Sequence, residues 1–292
     1  MKILITGAQG QVGKELGHIA NEKGFEVFAT GRNELDITQA QDVENYFLKV
    51  KPDIVINAAA YTAVDKAEEE HDLAFAINHH GAKNIAFCCN KYQIPLLHIS
   101  TDYVFNGEKS EPYSEHDPVS PLGIYGASKL QGEEAIRQTL VKHLILRVAW
   151  VFGAHGNNFV KTMLRLAKDR DELNVVADQY GGPSPAKDIA LTLMTLVEQY
   201  QKNNSLAWGT YHYCGNSKTS WYDFSKEIFK QAFDLGLLDK KIKVNPITTA
   251  EYPTAAKRPA NSMLDCSKLS ATFGIAMPKW KEALQKVLLE LK

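Results

Sequence analysis

The sequence predicts an α/β fold built on a Rossmann-like, doubly wound parallel sheet. Three observations carry this. Strand-length apolar runs alternate with helix-length amphipathic segments through the first 150 residues. The first run, Ile3-Leu4-Ile5, is apolar on consecutive residues, as a strand buried on both faces is. It opens into Gly7, Gly10 and Gly13, while Val12, Leu16, Ile19 and Ala20 recur at helical spacing. Such alternation places helices on both faces of a parallel sheet.

Strands are expected at Lys2–Thr6, Glu26–Thr30, Ile54–Ala58, Leu96–Ser100 and Leu144–Ala149. Helices are expected between them near Gln11–Lys23, Gln39–Val50, Asp72–Tyr92 and Ile124–Gln138. Thr38 followed by Gln41 reads as a capping box for the second helix. Beyond Trp150 the pattern loosens. Helices fit Asn158–Lys168, Lys187–Tyr200, Trp221–Leu235 and Lys279–Leu291, with Ser220 placed to cap the third. Short strands fit Leu173–Ala177, Gly209–Tyr213 and Lys243–Val244, and glycine and proline interrupt the chain at 181–185 and 253–259.

Composition narrows the function classes. A net charge of −1 over 292 residues gives no basic field, which argues against a nucleic acid polymer as partner. No apolar run reaches membrane-spanning length, and the chain enters a strand at once, so neither a membrane span nor a signal peptide is expected. Cys88, Cys89, Cys214 and Cys266 form no C-x-x-C pair and read as structural thiols, which suits a cytoplasmic protein. The adjacent His79 and His80 cannot share a helix face, and no metal site is expected. The acidic run Glu68-Glu69-Glu70 reads as a solvated face.

Two motifs carry chemistry. Strand, G-x-x-G-x-x-G turn and helix, in that order, are the context of a dinucleotide-binding fingerprint. Glycines tighten the turn and let backbone approach a pyrophosphate, and the helix N-terminus offers free N–H groups to it. Gln11 and Val12 occupy the first turn of that helix. Ligands of open parallel sheets bind beyond the carboxyl ends of the strands, so Gly7, Gly31, Ala59, Thr101 and Trp150 are expected to converge on one crevice. The second motif is Tyr125-Gly-Ala-Ser-Lys129, which puts a phenol and an ammonium on one helix face. A phenol titrates near ~10, and a neighbouring ammonium lowers that value, so a Tyr tuned in this way can protonate a carbonyl oxygen.

Together these motifs resemble the extended short-chain dehydrogenase/reductase superfamily. Ala58-Ala-Ala-Tyr-Thr-Ala-Val-Asp-Lys-Ala-Glu68, Ser100-Thr-Asp-Tyr-Val-Phe105, Asn157-Asn-Phe-Val-Lys-Thr-Met163, Asp178-Gln-Tyr-Gly181 and Lys257-Arg-Pro-Ala-Asn-Ser262 are similar to the dTDP-4-dehydrorhamnose reductase family within it. The likeness runs from Met1 to about Trp280. It implies a dinucleotide-binding domain over 1–150 and a smaller C-terminal α/β substrate domain over 151–292, with part of 173–214 returning to the first. It implies Tyr125 as proton donor, Thr101 as the hydroxyl on the substrate oxygen, and Lys129 on both the phenol and the nicotinamide ribose. It sets Gly7, Gly10, Gln11, Val12, Gly13, Ala59, Ala60 and Tyr61 around the cofactor, with Asp36 and Ile37 against the adenine. Asp102, Trp150, Asn158 and Arg258 then face the substrate, Arg258 on its diphosphate.

An acid at the end of the second strand would select NAD by bonding the ribose 2′-OH. This chain has Thr30-Gly-Arg32 there, so Arg32 is expected to pair with a 2′-phosphate, with Glu34 and Asp36 close enough to weaken the case. NADPH is the expected cofactor, with NADH also accommodated. The implied reaction is reduction of a nucleotide-linked keto sugar: the C4 ketone of dTDP-4-dehydro-6-deoxy-L-mannose becomes dTDP-L-rhamnose, for cell-surface polysaccharide. Two other readings stay open. One is a nucleotide-sugar epimerase or dehydratase. The other is a non-catalytic NADP-binding partner, like the regulatory subunit of methionine adenosyltransferase. A homodimer through the helices near 72–92 and 124–138 is compatible with the resemblance.

Overall fold

Ile3, Leu4 and Ile5 are all fully buried in the computed structural model, which describes Met1–Lys292. They form β1 (Lys2–Thr6), followed by α1 (Gln11–Glu22), β2 (Glu26–Thr30), α2 (Ala40–Val50), β3 (Ile54–Asn57), α3 (Val64–Ala67) and α4 (His71–Phe75). A π-helical turn over Ala76–Gly81 leads into α5 (Ala82–Lys91), then β4 (Leu96–Thr101), α6 (Ile124–Thr139) and β5 (His143–Val148). The rest comprises β6 (Val151–Phe152), α7 (Phe159–Asp169), β7 (Glu172–Val176), β8 (Tyr180–Gly181), β9 (Ser184–Pro185) and α8 (Ala186–Asn203). Last come β10 (Gly209–Tyr213), β11 (Thr219–Ser220), α9 (Trp221–Asp234), β12 (Lys243–Ile247), α10 (Ser267–Phe273) and α11 (Trp280–Glu290).

Six strands form one all-parallel sheet in the order β2-β1-β3-β4-β5-β10. The order reverses between β1 and β3, so their carboxyl ends open a crevice at the switch point. Helices α1 and α8 cover one face, where 23 buried residues, Ile5, Leu16 and Leu193 among them, pack together. Helices α2, α5 and α6 cover the other, with 16 more, including Leu4, Phe47 and Ile136. Fully burying each such side chain stabilises the fold by roughly 1.5–3 kcal/mol. A separate cluster of 15 buried residues, around Phe224, Leu284 and Trp280, joins α7, α9 and α11. Strand β10 stands at the edge of the main sheet, whereas β7 pairs with β12 apart from it.

The structure departs from the expected elements in several places. Thr38 does not cap α2: its hydroxyl donates to Asp36 Oδ1 at 2.8 Å, and Gln39 is the N-cap without a side-chain bond. Asp36 sits two residues away and offers Thr38 a closer acceptor. The helix expected over 72–92 is broken by the π-helical turn. There Gly81 meets Ile37 so closely that a Cβ would lie 2.6 Å from it. Ser220 does cap α9, accepting from the Asp223 N–H at 3.0 Å. No helix is long and apolar enough to cross a membrane, and the four cysteines are buried and unpaired.

Candidate active site

The nucleotide end of the crevice is built from backbone. Gly7 has φ +71°, and a Cβ there would fall 2.5 Å from Ala59 N; at Gly13 a Cβ would fall 2.1 Å from the Gly7 carbonyl oxygen. Gly10 is the N-cap of α1 and has no side chain to occupy the first-turn N–H groups, which leaves them free for a ligand. Gly7, Gly10, Arg32, Asp36, Ile37, Ala59 and Ala60 line one cavity of about 260 Å³. Gln11, next in α1, accepts from Asn158 Nδ2 at 2.9 Å, while the Val12 side chain turns into the core. Tyr61 is fixed by its backbone, exchanging hydrogen bonds with Asn78, and its phenol donates to Glu70 at 2.7 Å.

The two acids near Arg32 are already engaged. Glu34 accepts from the Gly31 N–H at 2.8 Å, and Asp36 Oδ1 accepts from both Thr38 N and Oγ1. The Arg32 side chain is 70% exposed at the cavity rim, with Asp36 Oδ2 no nearer than 3.9 Å.

The reacting end is built from side chains. Strand β4 delivers Thr101 and Asp102 at its carboxyl end, and α6 delivers Tyr125 in its first turn. Burial raises the Tyr125 phenol well above its ordinary value; Asp102 and Tyr103 add to this, and the Thr101 hydroxyl opposes it by hydrogen bonding. The Tyr103 ring meets Tyr125 edge-on, centroids 5.4 Å apart. Arg258 reaches the same cluster from a distant loop: its Nη1 lies 3.4 Å from the Tyr103 hydroxyl and its Nη2 donates to Asp65 at 2.7 Å. Asp102 is 3% exposed. Its Oδ1 accepts from Thr101 Oγ1 at 2.9 Å, and its Oδ2 has no partner. Burial pushes Asp102 up to about 6.

Lys129 departs from the expected geometry. It lies on the same helix as Tyr125 but is only 2% exposed, and its Nζ donates to the Ile99 carbonyl at 2.7 Å. The Tyr125 titration rises rather than falls, because burial outweighs the opposing hydrogen bond from Thr101. A lysine side chain is long enough to reach back to β4, where the strand carbonyl accepts from it. Trp150 adopts φ +48° and stacks on Trp221 at 3.4 Å, between the main sheet and α9. Asn158 caps α7, accepting from the Lys161 N–H, while its Nδ2 braces Gln11 and the Gly153 carbonyl. It therefore joins the nucleotide end rather than the Tyr125 cluster.

Sequence reasoning missed several supporting groups. Glu68 is half-buried and accepts from the Ile124 N–H at 2.8 Å, so it caps the helix that carries Tyr125 rather than lying on a solvated face. Asn78, 1% exposed, ties Tyr61 to Ser128 of α6. Glu133, fully buried, holds Arg147 bidentately at 2.9 and 2.7 Å behind β4 and β5. Each is a polar residue with a partner in another element, 14 to 56 residues away.

Known proteins resemble this chain over its whole length. The family model described as the RmlD substrate binding domain matches residues 1–292. The dTDP-4-dehydrorhamnose reductase of Aggregatibacter actinomycetemcomitans is 46% identical over 287 residues, covering 98% of each chain. A dTDP-4-dehydrorhamnose reductase structure from Clostridium acetobutylicum superimposes with a TM-score of 0.93 at 43% identity, covering 100% of this chain and 99% of its own. One from Bacillus anthracis, in complex with NADP, does so with a TM-score of 0.92 at 39% identity, covering 99% of each. Agreement that runs end to end, through both the glycine turn and the irregular second half, makes this chain a member of the dTDP-4-dehydrorhamnose reductase family.

Proposed function

We propose that this protein uses NADPH to reduce the C4 ketone of dTDP-4-dehydro-6-deoxy-L-mannose (dTDP-4-dehydro-L-rhamnose), giving dTDP-L-rhamnose for cell-surface polysaccharide. The observation that carries the reading is the gathering of Thr101, Asp102 and Tyr125 at the carboxyl end of the sheet that also holds the glycine-lined cavity. Full-length relatives bear that activity in their names, and one was solved with NADP.

The glycine cradle and the open N-terminus of α1 fit a pyrophosphate, and Arg32, its neighbouring acids engaged elsewhere, suits a 2′-phosphate. NADPH held there would supply the hydride that the ketone carbon takes up. Thr101 orients the ketone oxygen, and Tyr125 gives that oxygen a proton as it gains negative charge. Burial keeps the Tyr125 proton in place until a strong base forms beside it. Asp102 accepts from a sugar hydroxyl, and Arg258 holds the diphosphate. Lys129 would hold the nicotinamide ribose. Orientation of both reactants in one crevice supplies much of the acceleration.

The same reading divides the chain near 150, with α8 and β10 returning to the first domain. It places the reaction in the cytoplasm, where four free thiols stay reduced. It pairs two copies through α5 and α6, where Phe87 stands 57% exposed. The test is oxidation of NADPH with dTDP-, UDP- and GDP-linked 4-keto sugars. The reading expects turnover with the dTDP sugar above the others. Sugar conversion without net NADPH oxidation would instead indicate an epimerase or dehydratase. Tight cofactor binding with no conversion would indicate a regulatory partner.

A further inference from the structure

His98 is a histidine inside the apolar strand β4, 1% exposed, and nothing in the reaction above uses it. Its surroundings determine which ring nitrogen carries the proton. Asn57 Oδ1 accepts from the Ala59 backbone N–H at 3.1 Å and from Thr6 Oγ1 at 2.7 Å. A backbone N–H can only donate, so the orientation of the Asn57 amide is set and its Nδ2 must be the atom that faces His98. That Nδ2 lies 3.0 Å from His98 Nδ1. An amide NH₂ donates, so Nδ1 accepts and the neutral ring bears its proton on Nε2. Nε2 in turn faces Lys129 Nζ at 3.4 Å, while Nζ donates to the Ile99 carbonyl. An Nε2–H can donate to the lone pair of an amine, but against an ammonium it sets donor against donor.

We propose that Thr6, Asn57 and His98 form a tautomer lock that presents a fixed Nε2–H to Lys129, making His98 a positioning residue that favours the uncharged amine. The titratable or charged groups that face this pair are Glu133 from α6 and His143 from β5. Glu133 favours the ammonium, but both its oxygens are already held by Arg147 and one also by Arg137. Burial acts in the same direction as the lock: it brings Lys129 down to about 8, with Glu133 opposing, and it holds His98 well below the ordinary imidazole range. The charge change of Lys129 is thereby brought closer to neutral pH than that of a lysine at its ordinary value near ~10.4, one helical turn from Tyr125.

The role in turnover rests on the proposed reductase reading, but the lock can be tested without turnover. Long-range ¹⁵N NMR of the labelled full chain should show His98 as the Nε2–H tautomer from about pH 7 down to pH 5; an Nδ1–H or doubly protonated ring at pH 7 would overturn the proposal. His98→Asn keeps an acceptor for Asn57 and withdraws the N–H from Lys129. The Lys129 amine, followed by lysine side-chain NMR, should then titrate higher by about one pH unit. The matching limb of the kcat/KM profile should move the same way. A variant that loses activity equally at every pH, with Lys129 titrating as before, would show that His98 only fills space. If the variant does not fold, the wild-type tautomer alone decides. Failure of the protein to reduce any ketone would overturn the proposed reaction and leave the two NMR readouts valid.

Discussion

At Gly7 and Gly13 a single methyl group would lie within 2.5 Å of backbone, and the cavity beside Gly7 is lined by small residues, Gly10, Gly31, Ala59 and Ala60 among them. At the other end of the same crevice, Thr101, Asp102, Tyr125 and Arg258 come from three separate segments and act through their side-chain atoms. The nucleotide end therefore tolerates many side chains but no added Cβ at its glycines. The reacting end tolerates modest changes of shape but not the loss of one polar atom. Changes at the first should appear in cofactor affinity, and changes at the second in kcat, pH dependence or stability.

The largest effect is expected behind the reacting end. Burial raises Glu133, but the Arg147 hydrogen bonds and charge overcome this and hold it below the usual carboxylate range. Glu133→Gln leaves the buried Arg147 guanidinium uncompensated and should cost about 3–5 kcal/mol of stability, read by urea denaturation. A loss under 1 kcal/mol would mean that the pair is not structural. Asp102 comes next. Its folded value of about 6 lies above the ordinary carboxylate value of 3.8, so the folded state keeps a proton that the unfolded state has released. Stability from this group is full below about pH 4 and falls as pH rises through 6. Asp102→Asn should match wild type near pH 4 and become relatively more stable towards pH 7, by a few kcal/mol at most. The opposite slope would contradict the burial of this carboxyl.

At the nucleotide end, Gly13→Ala forces a methyl against the Gly7 carbonyl and should weaken NADPH by roughly tenfold to a hundredfold, in line with overpacking costs of about 1–3 kcal/mol. Its kcat at saturating cofactor should change little, and titration calorimetry with steady-state kinetics separates the two. Arg32→Ala should have the smallest effect, about tenfold on NADPH and much less on NADH, because the guanidinium is exposed at the rim. Equal losses for both cofactors would remove Arg32 as the selector.

Much of the sheet was legible because buried parallel strands are apolar on consecutive residues, as Ile3-Leu4-Ile5 and Ile54-Val55-Ile56 are. The glycine turn was legible because its spacing is local. What stayed hidden depends on partners distant in sequence. Arg258 meets Asp65 across 193 residues, and Glu68 caps a helix 56 residues on. The π-helical turn was hidden because it differs from an α-helix by one extra residue in the turn, which side-chain pattern does not mark; in the structure Gly81 packs against Ile37 there. One signal was present and went unread. A histidine in the run Leu96-Leu97-His98-Ile99 had to have buried partners, and it has them in Asn57 and Lys129.

The division between the two ends is tested most directly by Tyr125→Phe, which keeps the ring and its packing on Tyr103 and removes one hydroxyl. General acid catalysis contributes about 10²–10⁴-fold, so kcat with the dTDP-linked 4-keto sugar should fall by that factor while the NADPH Kd stays within about twofold of wild type. A folded Tyr125→Phe protein that keeps wild-type kcat with chemistry rate-limiting, or that loses cofactor affinity in parallel with turnover, would contradict the account.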